Sequence, residues 1–153
     1  MMSASRHTGK KKPRAFQLSL NFRWAIYGTF WILFLTGVIW PVADSLKDGP
    51  NGETWQAVAA NLLMWHGGVA MISLLLLGAL VPIHIQRAWR SHKNRLTGSA
   101  MATFNAVLIA TAFGLYYLGS DALRPWFSNV HLVIGIVLPV LFAIHIVVGK
   151  RAT

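Results

Sequence analysis

Residues 125–149 read PWFSNVHLVIGIVLPVLFAIHIVVG, a stretch with no Asp, Glu, Lys or Arg and with two histidines, His131 and His145. A helix needs about 20 mostly apolar residues to cross hydrocarbon, so this stretch has span length. An imidazole in hydrocarbon is costly, which makes an ionisable group placed there a functional candidate. Three more stretches lack charge in the same way: 24–43, 54–86 and 96–120. The stretch 54–86 contains the other two intramembrane histidines, His66 and His84.

Composition agrees with four spans. Hydrophobic residues make up 55% of the 153, and charged residues 12%. Helices buried in a soluble core would still need polar faces, and these stretches have almost none. The expected fold is all-α, an integral-membrane four-helix up-and-down bundle over 24–149. A basic arm (1–23) precedes it and a short tail (150–153) follows. The arm is too long and too polar for a signal peptide, and the apolar run after it is span length rather than signal length. There is no cysteine, which excludes disulfides, thiolate ligands and covalent haem attachment through C-x-x-C-H.

Charge sets the expected topology. Arg6, Lys10, Lys11, Lys12, Arg14 and Arg23 precede the first span; Arg87, Arg90, Lys93 and Arg95 follow the second; Lys150 and Arg151 follow the fourth. Asp44, Asp48, Glu53 and Asp121 all fall on the other side. The positive-inside rule then puts both termini, with the arm and the tail, in the cytoplasm. The net charge of +10 is accounted for by this rule and by attraction to anionic lipid, without nucleic acid. Trp24 and Trp40 bracket the first span with Pro41 just beyond it. Trp55 and Trp89 flank the second, and Trp126 opens the fourth. Tryptophan is enriched at such interfaces.

Helical periodicity places the histidines. At about 100° per residue, His66 and His84 return to one face of the second helix, and His131 and His145 lie within about 40° of one face of the fourth. In an up-and-down bundle these helices run parallel. His66 then pairs in depth with His131 near the outer surface, and His84 with His145 near the cytoplasmic one. Two facing imidazoles are what six-coordinate haem iron takes as axial ligands. The separations correspond to about 27 Å and about 21 Å of rise, so tilt or a kink must absorb the difference. Pro82 and Pro139 are the kink sites. Gly67, Gly68 and Gly135 are candidates for making room for a flat macrocycle, with Gly78 between the first pair. Ordinary close packing of glycine in membrane helices is the alternative. Haem propionates need cations or polar donors. Arg87, Arg90, Lys150 and Arg151 qualify at the cytoplasmic edge, and Arg124, with Ser128 and Asn129, at the outer edge. His7 and His92 lie in basic, solvated segments and read as bystanders.

The segments MWHGGVAM…VPIHIQRAW and NVHLVIGIVLPVLFAIHIVVGKR resemble the histidine helices of membrane b-type cytochromes. Among these are the bacterial cytochrome b-561 type, the cytochrome b subunits of respiratory dehydrogenases and small four-helix di-haem relatives. The resemblance covers the second to fourth helices. His131 and His145 match the family's spacing near 14, and His66 and His84 depart from it. The resemblance implies two haems b, electron transfer between quinone or quinol and a partner protein or dehydrogenase subunit, and a place in the bacterial cytoplasmic membrane. A short internal likeness between AIHIVVGKR and PIHIQRAWR suggests that helices one–two and three–four are a duplication.

No Asp or Glu lies inside a span, so no carboxylate proton relay crosses the membrane. Phosphate-loop, nucleophile-elbow and zincin motifs are missing. The expected role is an electron-carrying subunit or a small quinone-linked oxidoreductase. Two alternatives stay open: a membrane anchor or assembly subunit with at most one haem, and a transition-metal transporter using the histidines transiently. A transporter site would be expected to add Met, Cys or carboxylates, and only Met64 and Met71 are near. Trp65, Tyr116 and Tyr117 are aromatic candidates for a quinone pocket, although packing explains them equally.

Overall fold

The computed structural model describes residues 19–92 and 94–151. The arm up to residue 18, with His7, and Lys93 and the last two residues lie outside it. The described chain is all helical: α1 (Leu20–Leu46), α2 (Gly52–Leu80), a π-helical turn (Val81–Ile85), α3 (Gln86–Arg90), α4 (Arg95–Tyr117) and α5 (Arg124–Arg151). The π turn joins α2 and α3 into one rod, Gly52–Arg90. With α1, α4 and α5 it makes four helices long and apolar enough to cross a membrane. The chain is a multi-pass membrane protein.

The first, second and fourth spanning helices outrun their charge-free stretches, whereas α4 stops at Tyr117, short of the end of its own at residue 120. Arg23 and Asp44 lie within α1, and Arg124 and Arg151 bound α5. The physical reason is that charge limits what hydrocarbon accepts, whereas the helix continues as long as its backbone bonds do. Pro41, expected beyond the first helix, therefore lies inside it. Proline removes a single donor, and membrane helices tolerate that loss. The helix ends instead at Lys47, whose ammonium pairs with Asp44 at 2.8 Å. Pro139 likewise lies within an unbroken α5.

The helices form two antiparallel hairpins, α1 with α2 and α4 with α5. They meet along α1 and α5, where the Phe142 ring lies 4.8 Å from Phe30 and 5.9 Å from Tyr27. The hairpin turns at 47–51 and 118–123 share one end, here the loop end. The α3–α4 turn and both ends of the described chain share the other, the terminal end. Asn51 and Asn94, in left-handed conformations at φ 63° and 52°, open α2 and α4. Asparagine enters that region more readily than most residues. A Cβ at Gly52 would collide with the Lys47 carbonyl, so the tight α1–α2 turn requires glycine there.

Few side chains are buried: Ala43, Ala59, Val69, Thr111 and Leu138. Large apolar groups such as Trp31, Leu35, Met71, Leu75, Phe113 and Val140 point outward. In water such a surface would aggregate. Against lipid tails it is the expected exterior, and small residues let the helices approach one another.

Candidate cofactor-binding site

The four histidines stand as two facing pairs. The His66 and His131 rings are 6.2 Å apart between centroids with planes at 71°. The His84 and His145 rings are 6.1 Å apart with planes at 84°. The loop-end pair joins α2 to α5, and the terminal-end pair joins the π turn to α5. Along α5 the two levels are separated by about 21 Å of helical rise.

Each histidine of the loop-end pair is held by a threonine from its own hairpin. Nδ1 of His66 lies 2.9 Å from Oγ1 of Thr36 on α1. Nδ1 of His131 lies 2.8 Å from Oγ1 of Thr111 on α4. At the terminal end, Nδ1 of His145 lies 3.0 Å from Oγ1 of Thr97. At the loop end the direction of the bonds follows from proton supply. Thr36 donates its one hydroxyl proton to the Ile32 carbonyl at 2.7 Å, and Thr111 donates to Val107 at 2.8 Å. This back-bonding is common for threonine in helices. The hydroxyl oxygen is then left to accept from Nδ1–H. A neutral imidazole with its proton on Nδ1 presents a lone pair at Nε2, which is the ligating state. Metal-binding histidines are regularly fixed through the second nitrogen in this way.

The threonines were not among the sequence-based candidates, yet a signal for them exists. Thr97 and Thr111 have the same spacing on α4 as His131 and His145 have on α5. Antiparallel helices in constant register bring both couples together. Thr36 and Thr97 are each followed by glycine, and the glycines sit beside the rings. A Cβ at Gly37 would come 3.3 Å from Cε1 of His66, and one at Gly98 would come 3.9 Å from Cε1 of His145. Gly37 thus makes room for a histidine.

His84 differs from the other three. It lies inside the π turn and is exposed. None of the described residues offers it a threonine. The expected kink at Pro82 takes the form of this π turn. A π turn takes up an extra residue without a full extra step of rise. That shortens the His66–His84 separation by about 1.5 Å and turns the residues beyond it.

The remaining candidates divide. Gly67 is needed by Tyr116, whose hydroxyl would lie 2.7 Å from a Cβ placed there. A Cβ at Gly68, Gly78 or Gly135 would meet no atom within 4 Å, so side-chain packing against these three does not explain them. Arg124 is exposed and donates from Nη1 to the Leu115 carbonyl at 3.2 Å, tying the α5 start to the α4 end. Arg87 is exposed on α3, three residues after His84. His92 occupies the turn before α4 at φ 56°.

The donor set restricts what can bind. Among the described residues no group of three or more His, Cys, Asp or Glu converges. Each pair therefore offers two donors, too few for a metal held by protein alone in the usual fourfold sites. Two imidazoles bonded in trans to one metal at about 2 Å would have ring centroids about 6 Å apart, close to both observed separations. The residues fit a metal whose other donors come with it in a plane, as in haem. No family model, no curated protein and no solved structure matches the chain.

Proposed function

We propose that the chain is a membrane b-type cytochrome that carries electrons across the bilayer through two bis-histidine haems b. The observation that carries this reading is the spacing of the two imidazole pairs. Haem, when bound, supplies one-electron exchange at its iron. His66 and His131 would hold one haem at the loop end, and His84 and His145 the other at the terminal end. Thr36 and Thr111 hold two of the rings in the tautomer that ligates, and Thr97 bonds a third. The surrounding apolar helices keep water away, which favours six-coordinate electron transfer over reaction with solvent-borne ligands. With no cysteine, the group is held by coordination and packing alone.

The acidic residues at the loop end, Asp44, Asp48, Glu53 and Asp121, and the basic ones at the other support an orientation with both termini in the cytoplasm. In a bacterial cytoplasmic membrane the chain would then link quinone or quinol to a redox partner or dehydrogenase subunit. Arg87 near His84 and Arg124 near the α5 start are the propionate partners. A pyridine haemochrome assay on the detergent-purified protein should give two haems b per chain. A colourless protein would contradict the reading.

One observation favours a second reading, an anchor subunit with one haem: His84 is exposed and lacks the threonine that its three counterparts have. On that reading the haemochrome value is one, and His84→Ala leaves it unchanged.

A further inference from the structure

Among the described residues, one buried side-chain polar atom has no hydrogen-bond partner: the indole Nε1 of Trp40. An enclosed donor without an acceptor is unfavourable, and such a group calls for an explanation. Tryptophan at a membrane edge ordinarily leaves its N–H in the polar layer, and Trp24, Trp89 and Trp126 are 66%, 55% and 70% exposed. Trp40 departs from that pattern. It follows Thr36 by four residues on α1, so it shares nearly the same helix face, about 6 Å nearer the loop end. Thr36 is the residue that holds His66. Trp40 therefore lies about one turn nearer the loop end than the residue that bonds His66.

The other hairpin supplies a cation at the same end. Arg124 precedes His131 by about two turns, and one of its N–H groups is fixed on Leu115. A guanidinium has five donors in all. One neutral donor from α1 and one cation from α5 therefore lie nearer the loop end than the histidine pair, one from each hairpin.

We infer that Trp40 Nε1–H and the Arg124 guanidinium form a two-sided carboxylate clamp at the loop end. The clamp rests on the haem reading above, and it takes the propionate carboxylates of a porphyrin seated between His66 and His131. Trp40 is a positioning residue: it orients the macrocycle with its carboxylates toward the loop end and does not ligate the metal.

The experiment uses the full chain with His145→Ala, which leaves the loop-end site alone. Release of the porphyrin to excess apomyoglobin is timed for iron protoporphyrin and for its dimethyl ester. Trp40→Phe keeps the aromatic bulk and removes the N–H. It should speed release of the free-acid porphyrin about tenfold, the scale of one hydrogen bond to a charged group, and leave release of the ester unchanged. Arg124→Gln, at an exposed position, should do the same. Free-acid release that ignores both substitutions overturns the clamp, and so does ester release that accelerates as much as free-acid release. A parent chain that takes up neither porphyrin overturns the haem reading and the clamp with it. A parent that holds both, with rates blind to Trp40 and Arg124, overturns the clamp alone.

Discussion

The loop-end and terminal-end pairs reach almost the same ring separation, 6.2 and 6.1 Å, by different means. At the loop end both histidines sit in regular α-helix and each has a threonine on its Nδ1. At the terminal end one histidine has a threonine and the other projects from a π turn. Register does the positioning in the first case. In the second, a local break in the helix takes up part of a separation longer than that on α5. π turns are often found at functional sites, and this one contains a candidate ligand. The loop-end pair is accordingly the more fully hydrogen-bonded of the two.

The largest expected effect comes from removing a ring. His66→Ala or His131→Ala should abolish the loop-end haem and leave the other redox-active. His84→Ala or His145→Ala should do the reverse. Haem content and redox titration of each variant measure this. If His66 and His145 variants lost the same haem, the pairing would be wrong.

Removing a threonine hydroxyl comes next. Thr36→Val and Thr111→Val keep the branched shape and delete the acceptor of Nδ1–H. Loss of such a partner usually weakens metal affinity about 10- to 100-fold. Either change alone leaves the loop-end pair with one fixed ring, the condition that the terminal-end pair already has. Thr97→Val should leave the terminal-end pair with none, and its haem should become the more weakly held of the two. Equal retention of both haems in Thr97→Val would show that the hydroxyls do not set the difference.

The smallest effect separates two threonine–glycine steps. Gly37→Ala places a methyl 3.3 Å from the His66 ring, whereas Gly98→Ala places one at ordinary contact, 3.9 Å from His145. The first should destabilise the loop-end site by about 1 kcal/mol, and the second should be silent. Haem-release rates of the two variants compare them directly.

Much of this was legible in the sequence. Uncharged runs of span length set the helix count, and helical periodicity put His66 opposite His131 and His84 opposite His145. The helix ends were less legible, because Pro41 and the flanking charges mark the limits of hydrocarbon and not of hydrogen bonding. The π turn was visible only as Pro82 and a spacing that did not match. The threonines were hidden for a different reason: they lie on helices without histidines, and their meaning appears only once two antiparallel helices share a register. Trp40 reads as one more interfacial tryptophan until its N–H is seen to be enclosed.

The central claim is that both pairs clasp iron between imidazoles, and the angle between the rings gives it a spectroscopic signature. With planes at 71° and 84°, two such imidazoles on one iron would single out neither of its two π-type orbitals. The two would stay close in energy, leaving the orbital moment unquenched. Low-temperature electron paramagnetic resonance of the ferric protein should therefore show highly anisotropic low-spin signals, dominated by a single large g value and accounting for two spins per chain. A high-spin signal, a rhombic three-line spectrum from parallel imidazoles, or fewer than two low-spin haems per chain would contradict it.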